Sequence, residues 1–313
     1  MVMKSTTSCT VWVLSLVLLL LNNSIVVGNE VKPGGKQVSS KTLRTMARVY
    51  MAYGEYEKAQ PLVEQALTLA RKTNIPDYEL AMCLIDTACL YKKQNKLTSA
   101  EKMCEQGLEL QQKLLCKNHP YTAYTLRILS SIYREQNKLY QARSVLEKAT
   151  TIMRSYHTED DYAMVSLEID TAKLLVVQGR LKEAESHYSH ILATINKYSP
   201  DHFYKASILE DMAELYLQQG KYTEAEPLID QALSMKEKVY GSEHHLLVAA
   251  LFIKAGVERE KGNYAESENF IQRALAIAEK SENITKIVES QQHAKEIRFG
   301  KAVTDKAVAK AVN

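Results

Sequence analysis

Residues 54–59 have the sequence Gly54-Glu55-Tyr56-Glu57-Lys58-Ala59, and degenerate copies of this segment recur along the chain. In each copy, a glycine or asparagine is followed two positions later by tyrosine or leucine and five positions later by alanine or serine. The six copies lie 41 or 42 residues apart and begin at Gly54, Asn95, Asn137, Gly179, Gly220 and Gly262. A fixed period of about 20–50 residues is typical of stacked repeats, which bury their apolar faces against one another. The period therefore predicts a repeat solenoid and directs the functional question toward a binding partner.

The composition of the chain excludes some functional classes. Of its 313 residues, 46% are hydrophobic and 25% are charged, as in ordinary soluble proteins. The formal net charge of +3 gives no sign of the concentrated basic face that nucleic-acid binding normally requires. We therefore expect no nucleic-acid partner.

The N-terminus differs from the rest of the chain. Lys4 precedes an uncharged stretch whose apolar centre is Val11–Leu21, and Val26 and Gly28 occupy the positions that signal peptidase inspects. A basic start, an apolar run of about 7–15 residues and small residues at a cleavage site are typical of a secretory signal peptide. The pattern predicts a signal peptide over residues 1–28 and export of the mature chain, either to a periplasm or out of the cell. An uncleaved membrane anchor is the alternative, although a spanning helix needs about 20 apolar residues.

The remainder of the chain divides into three parts. Residues 29–39 contain the sequence Pro-Gly-Gly and little that could be buried, which predicts a flexible leader. Helical periodicity continues over residues 40–299, the predicted repeat domain. Residues 300–313 are rich in lysine, alanine and valine and form a predicted tail, either flexible or partly helical.

Each period resolves into two helices, as the fifth period illustrates. From Ser207 to Gln219 apolar residues recur at helical spacing and form one broad stripe. Gly220 interrupts this pattern, as expected of a residue that ends a helix in a left-handed conformation. A second helical pattern runs from Tyr222 to Tyr240. Six such helix pairs account for the repeat domain.

Small residues recur at two positions of every period when the leading glycine or asparagine is numbered 15. Position 8 holds Ala47, Ala88, Ser130, Ala172, Ala213 and Ala255, and position 20 holds Ala59, Ala100, Ala142, Ala184, Ala225 and Ser267. These residues resemble the tetratricopeptide repeat family, and the period of about 42 resembles the kinesin-light-chain type of that repeat. The resemblance implies an all-α solenoid, a right-handed superhelix of six helix pairs. It also implies that positions 8 and 20 let the two helices of a pair approach closely.

The resemblance has limits in the details of the repeats. The Asn pair that kinesin-light-chain-like repeats often carry at positions 5 and 6 is absent from all six periods. Lys254 and Glu258 occupy positions 7 and 11 of the sixth repeat, which are normally apolar. We therefore expect the sixth repeat to be a terminal unit with one face in water, followed by a capping helix over Ile284–Phe299.

The chain contains no recognisable catalytic or metal-binding motif. Four cysteines lie in the second repeat at spacings that match no metal or redox motif: Cys83, Cys89, Cys104 and Cys116. A Cys83–Cys104 disulfide and buried free thiols are both open alternatives. His187 and His190 share a helix face near Glu185, but no third ligand spacing supports a metal site. We expect no metal, no cofactor and no enzymatic activity.

Basic residues dominate the surface that the family uses for binding. In tetratricopeptide folds the first helices line a groove, and positions 2, 5, 9 and 12 tend to face it. In repeats one to four these positions hold no acid and seven basic residues, which form the predicted peptide-binding groove: Lys41, Arg44, Arg48, Lys92, Arg127, Arg134 and Lys173. In repeats five and six they hold Glu210, Glu214 and Arg259. The groove should therefore be basic toward its N-terminal end, although Asp86 and Asp170 at position 6 would reduce the charge.

The predicted function is a non-catalytic scaffold in an extracytoplasmic compartment. Its partner would be a peptide or protein with acidic residues, because arginine makes forked contacts with carboxylates. One alternative is a regulatory protein that senses a peptide and changes its superhelical pitch. Another is a membrane-anchored factor that assembles a complex. Self-association through the exposed end repeats is also open.

Overall fold

The computed structural model describes residues 38–72, 78–115, 118–157, 162–198, 204–280 and 284–299. The predicted signal peptide over residues 1–28, most of the predicted leader and the predicted tail lie outside these ranges. The helices form one compact unit that begins at Ser39. The described residues contain helices and no strand, which confirms the predicted all-α class.

Thirteen α-helices follow one another in the described residues. They are α1 (Ser40–Ala52), α2 (Tyr56–Arg71), α3 (Tyr78–Lys93), α4 (Leu97–Leu114), α5 (Pro120–Glu135), α6 (Leu139–Arg154), α7 (Tyr162–Val177), α8 (Leu181–Tyr198), α9 (Tyr204–Gln218), α10 (Tyr222–Tyr240), α11 (Val248–Glu260), α12 (Tyr264–Lys280) and α13 (Ile284–Phe299). A 3₁₀ turn, His245–Leu247, precedes α11. The odd-numbered helices α1 to α11 are called A helices below, and the even-numbered helices α2 to α12 are called B helices.

The helices stack as six consecutive pairs. Each A helix packs against the B helix that follows it, and each B helix packs against the next A helix. The last helix, α13, packs against both α11 and α12. The predicted solenoid of six helix pairs and a capping helix is therefore confirmed.

Each A helix ends at the glycine or asparagine that leads the repeated segment. The φ angles there are positive, for example 72° at Gly54 and 58° at Asn95. The next backbone N–H then reaches back to the carbonyl of position 11, and the distance from Lys96 N to Tyr91 O is 2.8 Å. This hydrogen bond satisfies a carbonyl that the helix itself cannot pair. The motif explains why glycine or asparagine recurs at this position.

The two small positions of each repeat meet at the crossing of its helices. All ten alanines at positions 8 and 20 are fully buried. In the third repeat the Ser130 hydroxyl on α5 donates to the carbonyl of Ala142 on α6 at 2.8 Å. In the sixth repeat Ser267 on α12 donates to the carbonyl of Ala255 on α11 at 2.7 Å. A larger side chain at either position would force the helices apart, because protein cores are close-packed.

The sixth repeat does not have the water-exposed face that its sequence predicts at Lys254 and Glu258. The two side chains are buried and form an ion pair at 2.9 Å. The Lys254 ammonium also lies 2.8 Å from Asp230 on α10, and the Asn263 amide donates to Glu258 at 2.8 Å. The charges are therefore buried because neighbouring polar groups pair with them, which is what buried ions require.

The described cysteines are free thiols. Cys83 lies 3.3 Å from the Ser40 hydroxyl, whereas the Cys104 thiol donates to the Thr125 carbonyl at 3.7 Å. The Cys83–Cys104 disulfide is thus not formed, and the alternative of free thiols holds for Cys83, Cys89 and Cys104. Cys116 lies outside the described residues.

The first repeat contacts the connector between the fifth and sixth repeats. The ring of Tyr53, after α1, lies edge-on to Tyr240 at 6.2 Å and to His244 at 6.3 Å between ring centroids. Gly54 lies so close to His245 that a Cβ atom at Gly54 would be 2.2 Å from the imidazole Nε2. This contact joins segments that are about 190 residues apart in the chain, far beyond the nearest-neighbour contacts of repeat stacking.

Candidate binding groove

Acidic residues of the next repeat pair with the predicted groove cations. On α3, one carboxylate oxygen of Asp86 accepts from Arg44 at 2.7 Å and the other accepts from Arg48 at 2.8 Å. Arg44 also donates to Glu79 at 2.9 Å and is 6% exposed. Arg44 therefore holds adjacent A helices together and is not accessible to a partner. Arg48 keeps 44% of its side chain exposed and still faces solvent.

The same cross-repeat pairing continues along the A helices. Arg127 on α5 lies 3.0 Å from Asp170 on α7, and Lys173 on α7 lies 2.8 Å from Asp211 on α9. In each pair the acid occupies position 6 of the following repeat. The predicted excess of positive charge in the groove is therefore largely neutralised. The pairing of Asp211 could have been predicted from the sequence, because Asp211 occupies position 6 of its repeat, as Asp86 and Asp170 do.

The remaining predicted cations differ in how firmly they are held. Lys92 donates to the Ser131 hydroxyl at 2.9 Å and lies 3.4 Å from Glu135. Among the described residues, Arg134 and Lys41 have no ion-pair partner. Arg134 is therefore the arginine of this surface whose guanidinium is available to a carboxylate from outside.

Arg134 borders a cavity of about 380 Å³ that spans the third to fifth repeats. The cavity is lined by Arg134, Lys173, Val176, Val177, Tyr188, Asp211, Glu214, Leu215 and Gln218. Val177 is 51% exposed, so an aliphatic surface lies open between Arg134 and the acids. The cavity therefore combines a guanidinium, an apolar floor and a carboxylate pair within one concave surface, as small binding sites commonly do.

Burial changes the acid–base properties of the cavity. Dehydration, followed by repulsion from Asp211, raises the pKa of Glu214. Burial also raises the pKa of Tyr188, whose ring is fully buried beneath the cavity. The arrangement favours a ligand that brings a carboxylate to Arg134 and a hydrogen-bond donor to Glu214.

Two further side chains of the groove were missed at the sequence level. Tyr124, at position 2 of the third repeat, is 38% exposed, and the Arg127 guanidinium lies 5.3 Å from the centre of its ring. Its position alone could have identified it. Lys93, one position beyond the predicted Lys92, is exposed at the surface. An aromatic ring and a second lysine thus extend the groove toward the second repeat.

The histidine pair is arranged around a carboxylate other than the predicted one. The Nδ1 atoms of His187 and His190 lie 3.1 and 2.8 Å from Glu168 on α7. Glu185 accepts instead from Lys221 at 3.0 Å. In the described part of the chain, no group of three or more His, Cys, Asp or Glu side chains is arranged to hold a metal ion. None of the helices described is both long and apolar enough to cross a membrane.

Family models match nearly all of the described helices. A model described as "MalT-like TPR region" matches residues 36–165, and a model described as "Tetratricopeptide repeat" matches residues 167–238 and 204–280. The chain is a tetratricopeptide repeat protein. The A-helix face described above is thus the first-helix surface of a tetratricopeptide repeat domain.

Relatives share the repeat type of this tetratricopeptide repeat protein. KINESIN LIGHT CHAIN-RELATED 1 of Arabidopsis thaliana is 25% identical over 220 residues, which cover 68% of this chain and 35% of the relative. The chain therefore spans about a third of the length of this relative and of KINESIN LIGHT CHAIN-RELATED 2 from the same organism.

Solved structures share its fold. NprR in complex with its cognate peptide NprX superposes with a TM-score of 0.66 at 13% identity, covering 95% of this chain and 81% of that one. A Rap protein complexed with Competence and Sporulation Factor gives a TM-score of 0.61 at 14% identity, with coverage of 84% and 82%. At these identities the similarity establishes the fold alone.

Proposed function

We propose that this tetratricopeptide repeat protein is a non-catalytic scaffold that binds an extended peptide segment of a partner on its A-helix face. The observation that carries the proposal is Arg134, an arginine without an ion-pair partner among the described residues, at the rim of an apolar cavity. The segment would place an acidic side chain on Arg134 and an aliphatic side chain on Val176 and Val177. A backbone N–H of the segment would donate to Glu214.

Two further basic residues of the groove are held in ion pairs and do not compete with Arg134 for a ligand carboxylate. Arg127 and Lys173 are held by Asp170 and Asp211, so they keep their positions whether or not a ligand is present. A rigid groove loses little conformational entropy when a peptide binds. NprR, which shares this fold, has been solved in complex with its cognate peptide NprX, which is compatible with the proposal.

Replacing Arg134 with glutamate should abolish recognition of the acidic segment. A random linear peptide library is selected against the wild-type protein, and the affinity of the enriched peptides is measured by fluorescence anisotropy. We expect those peptides to contain Asp or Glu, and Arg134→Glu to weaken binding by about 30-fold or more, since losing one buried charged contact costs about 2–5 kcal/mol.

Lys113→Glu is the matched control for this experiment. It makes the same charge change on α4, where Lys113 forms an exposed pair with Glu109 on the same helix. The control should bind like the wild type. Enriched peptides without acids, or equal losses for both variants, would show that Arg134 does not anchor the ligand.

One observation favours the second candidate function, a peptide sensor that changes its pitch. The contact of Tyr53 and Gly54 with Tyr240 and the His244–His245 connector sets the spacing between the first and fifth repeats. A ligand that binds only one arrangement of this contact would shift the balance between arrangements. A sensor therefore changes its radius of gyration when an enriched peptide is added, whereas a passive scaffold does not.

Substitution of Gly54 should separate the first repeat from that connector. Gly54→Leu and Gly179→Leu introduce the same side chain at nearly the same φ, 72° and 73°, so both variants carry a similar conformational strain of about 1–2 kcal/mol. The side chain would collide with His245 at Gly54, whereas no atom lies within 4 Å at Gly179. Small-angle X-ray scattering should give a larger radius of gyration for Gly54→Leu alone. An unchanged radius would mean that the contact does not control the pitch.

Export of the protein is part of the same proposal. It rests on the basic start, the apolar run and the small residues over residues 1–28. Mass spectrometry of the protein from its native source should find a mature N-terminus at Asn29. An intact N-terminus recovered with membranes would instead favour the anchored assembly factor.

A further inference from the structure

A carboxylate at position 21 joins the B helix of one repeat to the next repeat. Glu101 on α4 accepts from the Gln136 amide at 2.8 Å and from the Lys138 ammonium at 2.8 Å. Gln136 and Lys138 occupy positions 14 and 16 of the third repeat. The turn that ends α5 is thereby tied to the preceding B helix.

The same arrangement recurs at the later junctions. Glu185 on α8 accepts from Gln219 at 3.4 Å and from Lys221 at 3.0 Å, again at positions 14 and 16 of the following repeat. At the last junction Glu226 accepts from Lys261, at position 14, at 2.8 Å. At the first junction a neutral amide takes the place of the carboxylate, since the Gln94 amide, at position 14, donates to Gln60, at position 21, at 2.9 Å.

The junction between the third and fourth repeats lacks this carboxylate. Position 21 there is Arg143, and it faces a repeat whose positions 14 and 16 are Gln178 and Arg180. Two arginines cannot form an ion pair, and each binds a glutamate three or four residues away in sequence instead. Arg143 lies 2.8 Å from Glu147, and Arg180 lies 2.6 Å from Glu183. The carboxylate at position 21 is thus absent from this junction, and both arginines are held by glutamates three or four residues away in sequence.

A groove of about 700 Å³ opens at this junction, between α6 and α8, with α7 as its floor. The aliphatic side chains at the bottom of the groove are largely buried; Leu146 comes from α6, and Met164, Leu167, Leu174 and Leu175 come from α7. Three carboxylates also line the groove, but each already has a cationic or imidazole partner: Glu147, Glu168 and Glu183. The Gln178 side chain has no hydrogen-bond partner among the described residues.

We propose that this outer groove is a second docking site, which binds an acidic and aliphatic segment of a partner protein. The carboxylate of the segment lies between Arg143 and Arg180 and accepts from Gln178, as Glu185 accepts from Gln219 and Lys221 one repeat later. The neighbouring aliphatic side chain of the segment packs on Leu146, Leu167 and Leu174.

The arginines can be released for such a ligand at low cost. Both of their present ion pairs are exposed and join residues three or four apart in sequence, and exposed pairs contribute only about 0.2–1 kcal/mol. Arg180 already makes a forked contact with Glu183, at 2.7 and 2.6 Å, so the gain for a ligand carboxylate is that it contacts the guanidinium groups of Arg180 and Arg143 together. The docking site is separate from the cavity at Arg134, because the two have no lining residue in common.

A short peptide tests the outer groove directly. The probe is acetyl-Leu-Glu-Leu-amide, titrated into the full-length protein with labelled leucine methyl groups and followed by NMR. We expect shifts of the methyl signals of Leu146, Leu167 and Leu174, and at least about tenfold weaker binding of the matched peptide with Gln in place of Glu. No shift at these methyls, or equal binding of both peptides, would overturn the proposal.

The substitution Arg143→Glu should close the groove with the protein's own carboxylate, as Glu101 and Glu185 do at their junctions. We expect this variant to fold with at least wild-type stability and to lose the peptide-induced shifts. Lys148→Glu makes the same charge change at an exposed position of the same helix and should retain them. Shifts that survive in Arg143→Glu would contradict the site. The affinity loss expected for Arg134→Glu is measured in a separate experiment, so a negative result for the outer groove does not change it.

Discussion

Replacing Asp86 with alanine should destabilise the protein by about 3 kcal/mol, since it leaves the buried Arg44 guanidinium with Glu79 as its one remaining carboxylate among the described residues. Asp86 is 2% exposed and accepts from both Arg44 and Arg48. Arg48 can turn toward water, but Arg44 is enclosed between α1 and α3. The expected effect is therefore set by the buried Arg44 guanidinium.

Urea denaturation monitored by circular dichroism measures this change. The control is Glu109→Ala, which removes an equally short ion pair whose two side chains are each 65% exposed. It should change the free energy of unfolding by less than about 0.5 kcal/mol. If both variants lost the same stability, the pair at Asp86 would not hold the first two repeats together.

Replacing Lys254 with methionine should destabilise the sixth repeat by about 3 kcal/mol at neutral pH. The ammonium lies within 3.2 Å of Glu226, Asp230 and Glu258, and its side chain is 7% exposed. Burial opposes the charge of Lys254, but hydrogen bonds from its ammonium to Asp230 and Glu258 raise its pKa above the ordinary value. Without Lys254 the buried Glu258 carboxylate loses its nearest cation.

The pH dependence of this difference follows from the pKa of Glu258. Burial opposes its charge, but hydrogen bonds from Asn263 and Lys254 lower its pKa from 4.5 to about 2. A depressed folded pKa contributes stability above the unfolded value, and that contribution is lost as pH falls from 4.5 toward 2. The raised pKa of Lys254 keeps its charge throughout this range. The stability gap between wild type and Lys254→Met should therefore narrow in acid.

The control for the lysine variant is Lys280→Met. Lys280 forms a pair with Glu243 at 3.0 Å, and its side chain is 62% exposed. Its loss should change stability little at any pH between 7 and 3, because exposed pairs are weak. A constant gap for Lys254→Met over the same range would mean that Glu258 is not held ionised by Lys254.

The sequence predicts the helix pairs well because their determinants are local. Apolar residues recur at helical spacing, and a glycine or asparagine with positive φ ends each A helix. The repeat also predicts that positions 8 and 20 lie opposite each other at the helix crossing. The hydrogen bond from the Ser130 hydroxyl to the Ala142 carbonyl shows this contact. Such features need only one or two neighbouring helices.

The charge of the groove was predicted less well because it depends on partners in the next repeat. The sequence analysis noted that Asp86 and Asp170 at position 6 reduce the charge, but it could not show that they bind Arg44 and Arg127 directly, and it left out Asp211, which binds Lys173. The exposure of Lys254 and Glu258 was predicted wrongly for the same reason. A charged residue at a core position is exposed only where no neighbouring residue pairs with it, and Asp230 on the preceding B helix pairs with Lys254. The contact of Tyr53 with Tyr240 depends on the summed rotation of five repeats and has no local signal.

Photo-crosslinking is the measurement that tests the central claim most directly. A photoreactive amino acid replaces Val177, in the cavity beside Arg134, or Tyr140, which is 84% exposed on a B helix. The account predicts that a peptide enriched from the library crosslinks to position 177 and not to position 140, and that Arg134→Glu abolishes the crosslink. Crosslinking at position 140 alone would contradict binding on the A-helix face, and crosslinking at position 177 regardless of Arg134 would contradict the proposal that Arg134 anchors the ligand.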